Sequence, residues 1–152
     1  MIKRLYLIIF VTISSIYVSY AQKIVRFQDE LSGLYGYKQQ GKVVIHAQFV
    51  NAAKEFSEGL AAVEIGKRDI LKPESYYNWG FIDQTGRVVI PPQFFEARNF
   101  SEGLAAVSTK GGGWKYVNHS NKLITIERSV SSLGDFTDGL APFMIKGHMW
   151  GF

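Results

Sequence analysis

Cysteine is absent from the 152 residues. That excludes disulfides, thiolate metal sites, a cysteine nucleophile and a lipid-modified bacterial N-terminus, while leaving the redox compartment open. Histidine is scarce: His46, His119 and His148 fall at non-equivalent places, and no two have the spacing of a metal-ligating pair, so they read as surface residues. No Gly-x-x-x-x-Gly-Lys-Ser/Thr loop occurs, and Gly111-Gly112-Gly113 follows a strand without leading into a helix, so a phosphate cradle is unsupported. No Gly-x-Ser-x-Gly elbow is present either. Blocks of like charge are missing. The formal net charge of +4 includes Lys3 and Arg4, and setting these aside leaves 15 basic against 13 acidic groups, so no nucleic-acid partner is expected. Helical periodicity is missing too, from Gln22 onward.

What is there begins with an export signal. Met1 to Arg4 is positive, Leu5 to Val18 is a mostly apolar run of 14 residues, and Ser19-Tyr20-Ala21 offers small residues where a signal peptidase reads. Cleavage is expected between Ala21 and Gln22, leaving no membrane span. A helix of that run reaches only about 21 Å, short of the ~30 Å hydrocarbon core, which favours cleavage over the alternative of an uncleaved anchor. The remainder, with a 47% hydrophobic composition overall, has the length of one domain, residues 22–152.

That domain is repetitive. Phe56-Ser57-Glu58-Gly59-Leu60-Ala61 returns unchanged as Phe100-Ser101-Glu102-Gly103-Leu104-Ala105 and loosely as Phe136-Thr137-Asp138-Gly139-Leu140-Ala141, at steps of 44 and 36 residues. A second element recurs with it: Tyr35-Gly36-Tyr37, Trp79-Gly80-Phe81, Trp114-Lys115-Tyr116 and Trp150-Gly151-Phe152. Periods of this size mark a repeat architecture. The units run over about 35–65, 79–109 and 114–145, with the start of another at 150–152.

Local chemistry makes each unit three short antiparallel strands. Asp83-Gln84-Thr85-Gly86 is a hairpin turn joining Trp79–Ile82 to Arg87–Ile90, with Asp able to accept local N–H groups and Gly free to take positive φ. Asn121 replaces that glycine in the third copy, as the next most tolerant residue. Pro91-Pro92 is expected to end the second strand, and residues 91–99 to be a connection. Gly59, Gly103 and Gly139 should sit at positive φ, opening the third strand. Residues 22–34 form a closing half-hairpin, Lys67 to Asn78 an insertion at a hairpin tip, and Met149-Trp150-Gly151-Phe152 either the opening of a further unit or a strand pairing back on Pro142–Ile145.

Two groups of residues invite a chemical reading. Glu58, Glu102 and Asp138 resemble acid/base carboxylates, of which a glycosidase needs a facing pair. Catalytic pairs are specialised, however, and these are copied once per unit, which favours turn residues. Trp79, Trp114 and Trp150 share a strand face with Phe81, Tyr116 and Phe152 and read as a core stripe, the alternative being a stacking platform for sugars. Tyr76 and Tyr77, on the insertion, are the better exposed aromatics.

The run Trp79-Gly80-Phe81-Ile82-Asp83, Gly86 to Pro91 and Phe100 to Val107 resembles the WG-repeat family of bacterial proteins, and the resemblance covers about residues 35–152. It implies tandem β-rich units, often in exported proteins, and brings no catalytic, cofactor-binding or metal-binding residues. Tyr35 in place of Trp and Lys115 in place of Gly are departures. The expectation is an all-β chain of tandem three-stranded antiparallel hairpin repeats in an elongated or curved array, with a partial β-propeller as alternative. The expected role is a non-catalytic, exported scaffold or interaction module with an unknown protein or envelope partner. A carbohydrate-binding module is the alternative, and an exported hydrolase the least favoured.

Overall fold

The computed structural model describes residues 23–66, 78–109, 113–126 and 130–145. The expected export signal, Tyr76 and Tyr77 on the expected insertion, His148 and Trp150-Gly151-Phe152 lie outside the described residues.

Every described element is a strand. The first unit contains β2 (Tyr35–Gln39), β3 (Lys42–Phe49), β4 (Asn51–Ala52) and β5 (Leu60–Ile65). The second contains β6 (Asn78–Asp83), β7 (Val88–Ala97) and β8 (Leu104–Thr109). The third contains β9 (Trp114–Asn118), β10 (Leu123–Ile124), β11 (Val130–Leu133) and β12 (Phe143–Ile145). Ahead of them stands β1 (Ile24–Gln28), paired with β2. The largest sheet has the order β10-β9-β8-β7-β6-β5-β4 and does not close on itself. Each unit's last strand pairs antiparallel with the next unit's first, as β5 does with β6 and β8 with β9. The chain is all-β with antiparallel, hairpin-like strands, as read from the repeats, but only the second unit is three-stranded: the first and third have four strands each, divided between two sheets.

The second strand departs from expectation. β7 does not stop at the prolines: it runs from Val88 to Ala97, pairing first with β6 and then with β8. The ladder steps from Phe81↔Ile90 to Trp79↔Phe94, so Pro91, Pro92 and Gln93 bulge opposite the single residue Gly80. Residues in that bulge have no partner in the register with β6, so a proline without an N–H is tolerated there. His46, Ala47 and Gln48 cross Gly36 in the same way, between Tyr37↔Ile45 and Tyr35↔Phe49.

This crossing explains the glycine of the aromatic–glycine pair. A Cβ on Gly80 would lie 2.6 Å from the Ile90 carbonyl oxygen, and one on Gly36 2.6 Å from that of Ile45. Lys115 occupies the equivalent place in the third unit, and there, among the described residues, β10 pairs with β9 at Leu123↔Val117 and Ile124↔Tyr116.

Side chains fill the space between units. Phe81, Ile90, Phe94 and Phe100 pack with Leu60 and Ala62 of the preceding unit and Val117 of the following one. Tyr37, Ile45, Phe49, Ala61 and Val63 likewise receive Ile82. Trp79 and Trp114 are half-buried at the margins of this core, whereas Phe81, Tyr37 and Tyr116 are buried. The aromatic stripe is therefore structural at its third position and only marginal at its tryptophans.

The buried tyrosines give a pH dependence. Tyr37 donates to the Ala53 carbonyl at 2.9 Å and Tyr116 to that of Gly134 at 2.9 Å. Burial raises the pKa of both, and Asp135 adds to the rise at Tyr116. A folded-state pKa above the unfolded value of about 10 gives stability that is complete below pH 10 and lost as pH rises through the folded values. The melting temperature should therefore fall above about pH 10, and Tyr37→Phe should flatten that fall while costing about 1 kcal/mol at neutral pH.

Candidate interaction surface

The acidic–glycine motifs form two-residue turns. Ser57 and Leu60 exchange both backbone hydrogen bonds, as do Ser101 and Leu104, and Thr137 and Leu140. Gly59, Gly103 and Gly139 have φ of 81°, 81° and 76°, as their sequence positions require. Glu58, Glu102 and Asp138 are also left-handed, at 51°, 53° and 53°, which makes each a type I′ hairpin turn. Nothing lies within 4 Å of a Cβ placed on Gly103. Gly103→Val should therefore cost the conformational penalty alone, about 1–2 kcal/mol in chemical denaturation.

The three turns are tied together. Ser57 Oγ donates to the Phe100 carbonyl at 2.6 Å, and the Glu58 carboxylate accepts from the Gly103 N–H at 3.1 and 3.2 Å. One unit on, Ser101 Oγ donates to the Phe136 carbonyl at 2.6 Å and Glu102 accepts from the Gly139 N–H at 2.9 Å. Each turn thus forms a two-bond rung with the turn of the next unit. A left-handed glycine exposes an N–H that its own hairpin does not use, and the preceding carboxylate is of the right sign and length to meet it.

His119 joins the first rung. Its ring stacks on Phe100 at 4.1 Å and 22°, and its Nε2 lies 3.3 Å from Glu58. A residue of the third unit therefore closes a contact between the first two, a role beyond the plain surface position read from sequence. His46 is exposed on β3. Among the described residues no three His, Asp or Glu side chains come together as a metal site would need. Asp83 is held by its own turn: the Thr85 hydroxyl, with the backbone N–H groups of Thr85 and Arg87, keeps its carboxyl below the ordinary range.

Two of the strand-opening aromatics are in use. The Arg26 guanidinium lies 4.5 Å from the Tyr35 ring centre and that of Arg98 5.6 Å from Trp114, covering one face of each. The exposed apolar groups are elsewhere, as Val43-Val44, Val88-Val89 and Leu123-Ile124, the same two positions in each unit. In the first two units a one-residue register shift breaks the alternation there, which turns both valines outward. A groove of about 580 Å³ opens in the third unit, lined by Leu104, Tyr116, Leu133, Phe136, Leu140 and Phe143 among others.

The meander and its rungs define a tandem β-repeat protein whose units lock one to the next through their turns. The family model of the WG containing repeat matches residues 37–68 and 79–114, so these two stretches are similar to WG repeats. No curated protein and no solved structure matches the chain.

Proposed function

We propose that the chain is an exported, non-catalytic scaffold or interaction module of the cell envelope, directed there by Met1 to Ala21 and holding a protein or envelope component on its surface. The observation that carries the reading is the use made of the repeated polar groups. Glu58 and Glu102, two of the three carboxylates whose pattern resembled acid/base groups, are engaged with Ser57 and Ser101 in joining units. Binding then falls to what each unit leaves exposed, the paired aliphatic residues of its second strand. Exported material should begin at Gln22 on N-terminal sequencing. The tagged chain should retain a specific component from envelope extract, and Val88→Ser/Val89→Ser should lose it. Retention of nothing, or of the same proteins by the parent and the double variant alike, overturns the reading.

A further inference from the structure

The second strand of every unit begins with the same kind of triplet. A left-handed residue at the hairpin tip, Gly41, Gly86 or Asn121, is followed by one cation and two aliphatic side chains: Lys42-Val43-Val44, Arg87-Val88-Val89 and Lys122-Leu123-Ile124. All nine triplet residues are exposed, the aliphatic ones by between 38% and 43%. A regular strand buries one of two successive side chains, and in the first two units the register shift defeats that alternation. A single exposed valine is ordinary, whereas six aliphatic groups recurring in phase with a cation form a patch that folding does not use.

The triplets follow one another along one side of the array. A Cβ on Gly86 would lie 3.3 Å from Ile45 Cγ2, so the tip of the second hairpin rests against β3. Gln93 Nε2 donates to Asn121 Oδ1 at 3.0 Å, so the tip of the third rests against β7. Each tip leads directly into the next triplet. Lys42 and Lys122 form no ion pair among the described residues, and Arg87, paired through Nε with Asp83, keeps a side chain 81% exposed. The acids Glu58, Glu102 and Asp138 stand apart, on the turns that open the third strands, and glycine N–H groups hold the first two there.

We propose that this row seats the protein on an anionic lipid surface. The aliphatic pairs enter the boundary between headgroups and acyl chains, and Lys42, Arg87 and Lys122 meet the lipid phosphates. Charge complementarity selects an anionic occupant. The shape selects a lipid surface over an acidic peptide, because a peptide is held in a groove. The first two triplets line neither the 580 Å³ groove nor the hollow of about 300 Å³ bounded by Ser32, Gly33, Leu34, Val50 and Gly66.

The inference rests on the interaction-module reading and names the envelope component as the lipid itself. The exported chain, beginning at Gln22, is sedimented with vesicles of phosphatidylglycerol and phosphatidylcholine, and separately with vesicles of phosphatidylcholine alone. The expected result is binding to the mixed vesicles that falls with added salt, and little to the neutral ones. Lys42→Gln/Lys122→Gln should weaken binding about twentyfold, and Val43→Ser/Val44→Ser about tenfold, each checked by circular dichroism for retained fold. Equal binding to both kinds of vesicle, binding to neither, or indifference to both double variants overturns the proposal. Capture of polyglutamate without capture of vesicles overturns it in favour of an acidic polypeptide. A chain that ignores vesicles yet retains a specific protein from envelope extract sinks this inference alone, whereas one that does neither sinks the scaffold reading with it.

Discussion

Gly80→Ala is expected to destabilise the protein by about 3 kcal/mol or more, and Gly36→Ala by a similar amount. At an open strand position the same change would be stabilising by about 0.5–1 kcal/mol, since alanine has less freedom to lose on folding. Here the added methyl would lie 2.6 Å from Ile90 O, 2.9 Å from Pro92 N and 3.1 Å from the Pro91 carbonyl carbon. All three are main-chain atoms of one bulge, so no rotamer change relieves the overlap, and either the bulge lifts or the ladder on both sides shifts. Lys115→Ala, at the equivalent position where a side chain is already accommodated, should stay within about 0.5 kcal/mol of the parent. Urea denaturation of the three variants checks this. A neutral or stabilising Gly80→Ala would mean that β7 does not cross β6 at that point.

The contrast between these glycines marks how far the sequence could be read. Gly59, Gly103 and Gly139 were legible because a turn's demand for positive φ is local: the residue, its neighbours and a strand on each side state it. The constraint on Gly80 belongs to the strand opposite, ten and more residues along the chain, and no local pattern carries it. Pro91-Pro92 misled for the same reason. A proline excludes a ladder hydrogen bond, but whether one is required there depends on the partner, and opposite Gly80 none is.

Glu58 and Glu102 were legible as turn residues and illegible as rungs, because the recipient N–H lies 45 and 37 residues away. A signal was nevertheless available. A turn of this type has no need of an acid in particular, so an acid kept in all three copies implied a use beyond the turn. His119 gave none, since it occurs in one copy only and its neighbours come from two other units.

Phe100→Ala should produce the other large loss, about 3–5 kcal/mol. Phe100 is 1% exposed, meets Phe81 edge-on at 4.9 Å, and carries His119 stacked on its ring at 4.1 Å. Its carbonyl is also the acceptor for Ser57, so the ring and backbone of one residue bind the unit before, its own unit and the unit after. Phe56 and Phe136 hold the same place in the first and third turns but are only half-buried, and their alanine variants should cost roughly half as much. The shape of the transition is as informative as its midpoint. In a linear repeat, stability is a sum of unit terms and nearest-neighbour interface terms, and cooperativity survives only while the interfaces hold. Removing Phe100 weakens both interfaces of the middle unit together, so the unfolding transition should broaden and its denaturant slope fall. Phe136→Ala, which touches one interface, should shift the midpoint with the slope nearly kept. Equal slopes for the two variants would show that the units are held by the sheet alone, with the turns contributing little to the coupling.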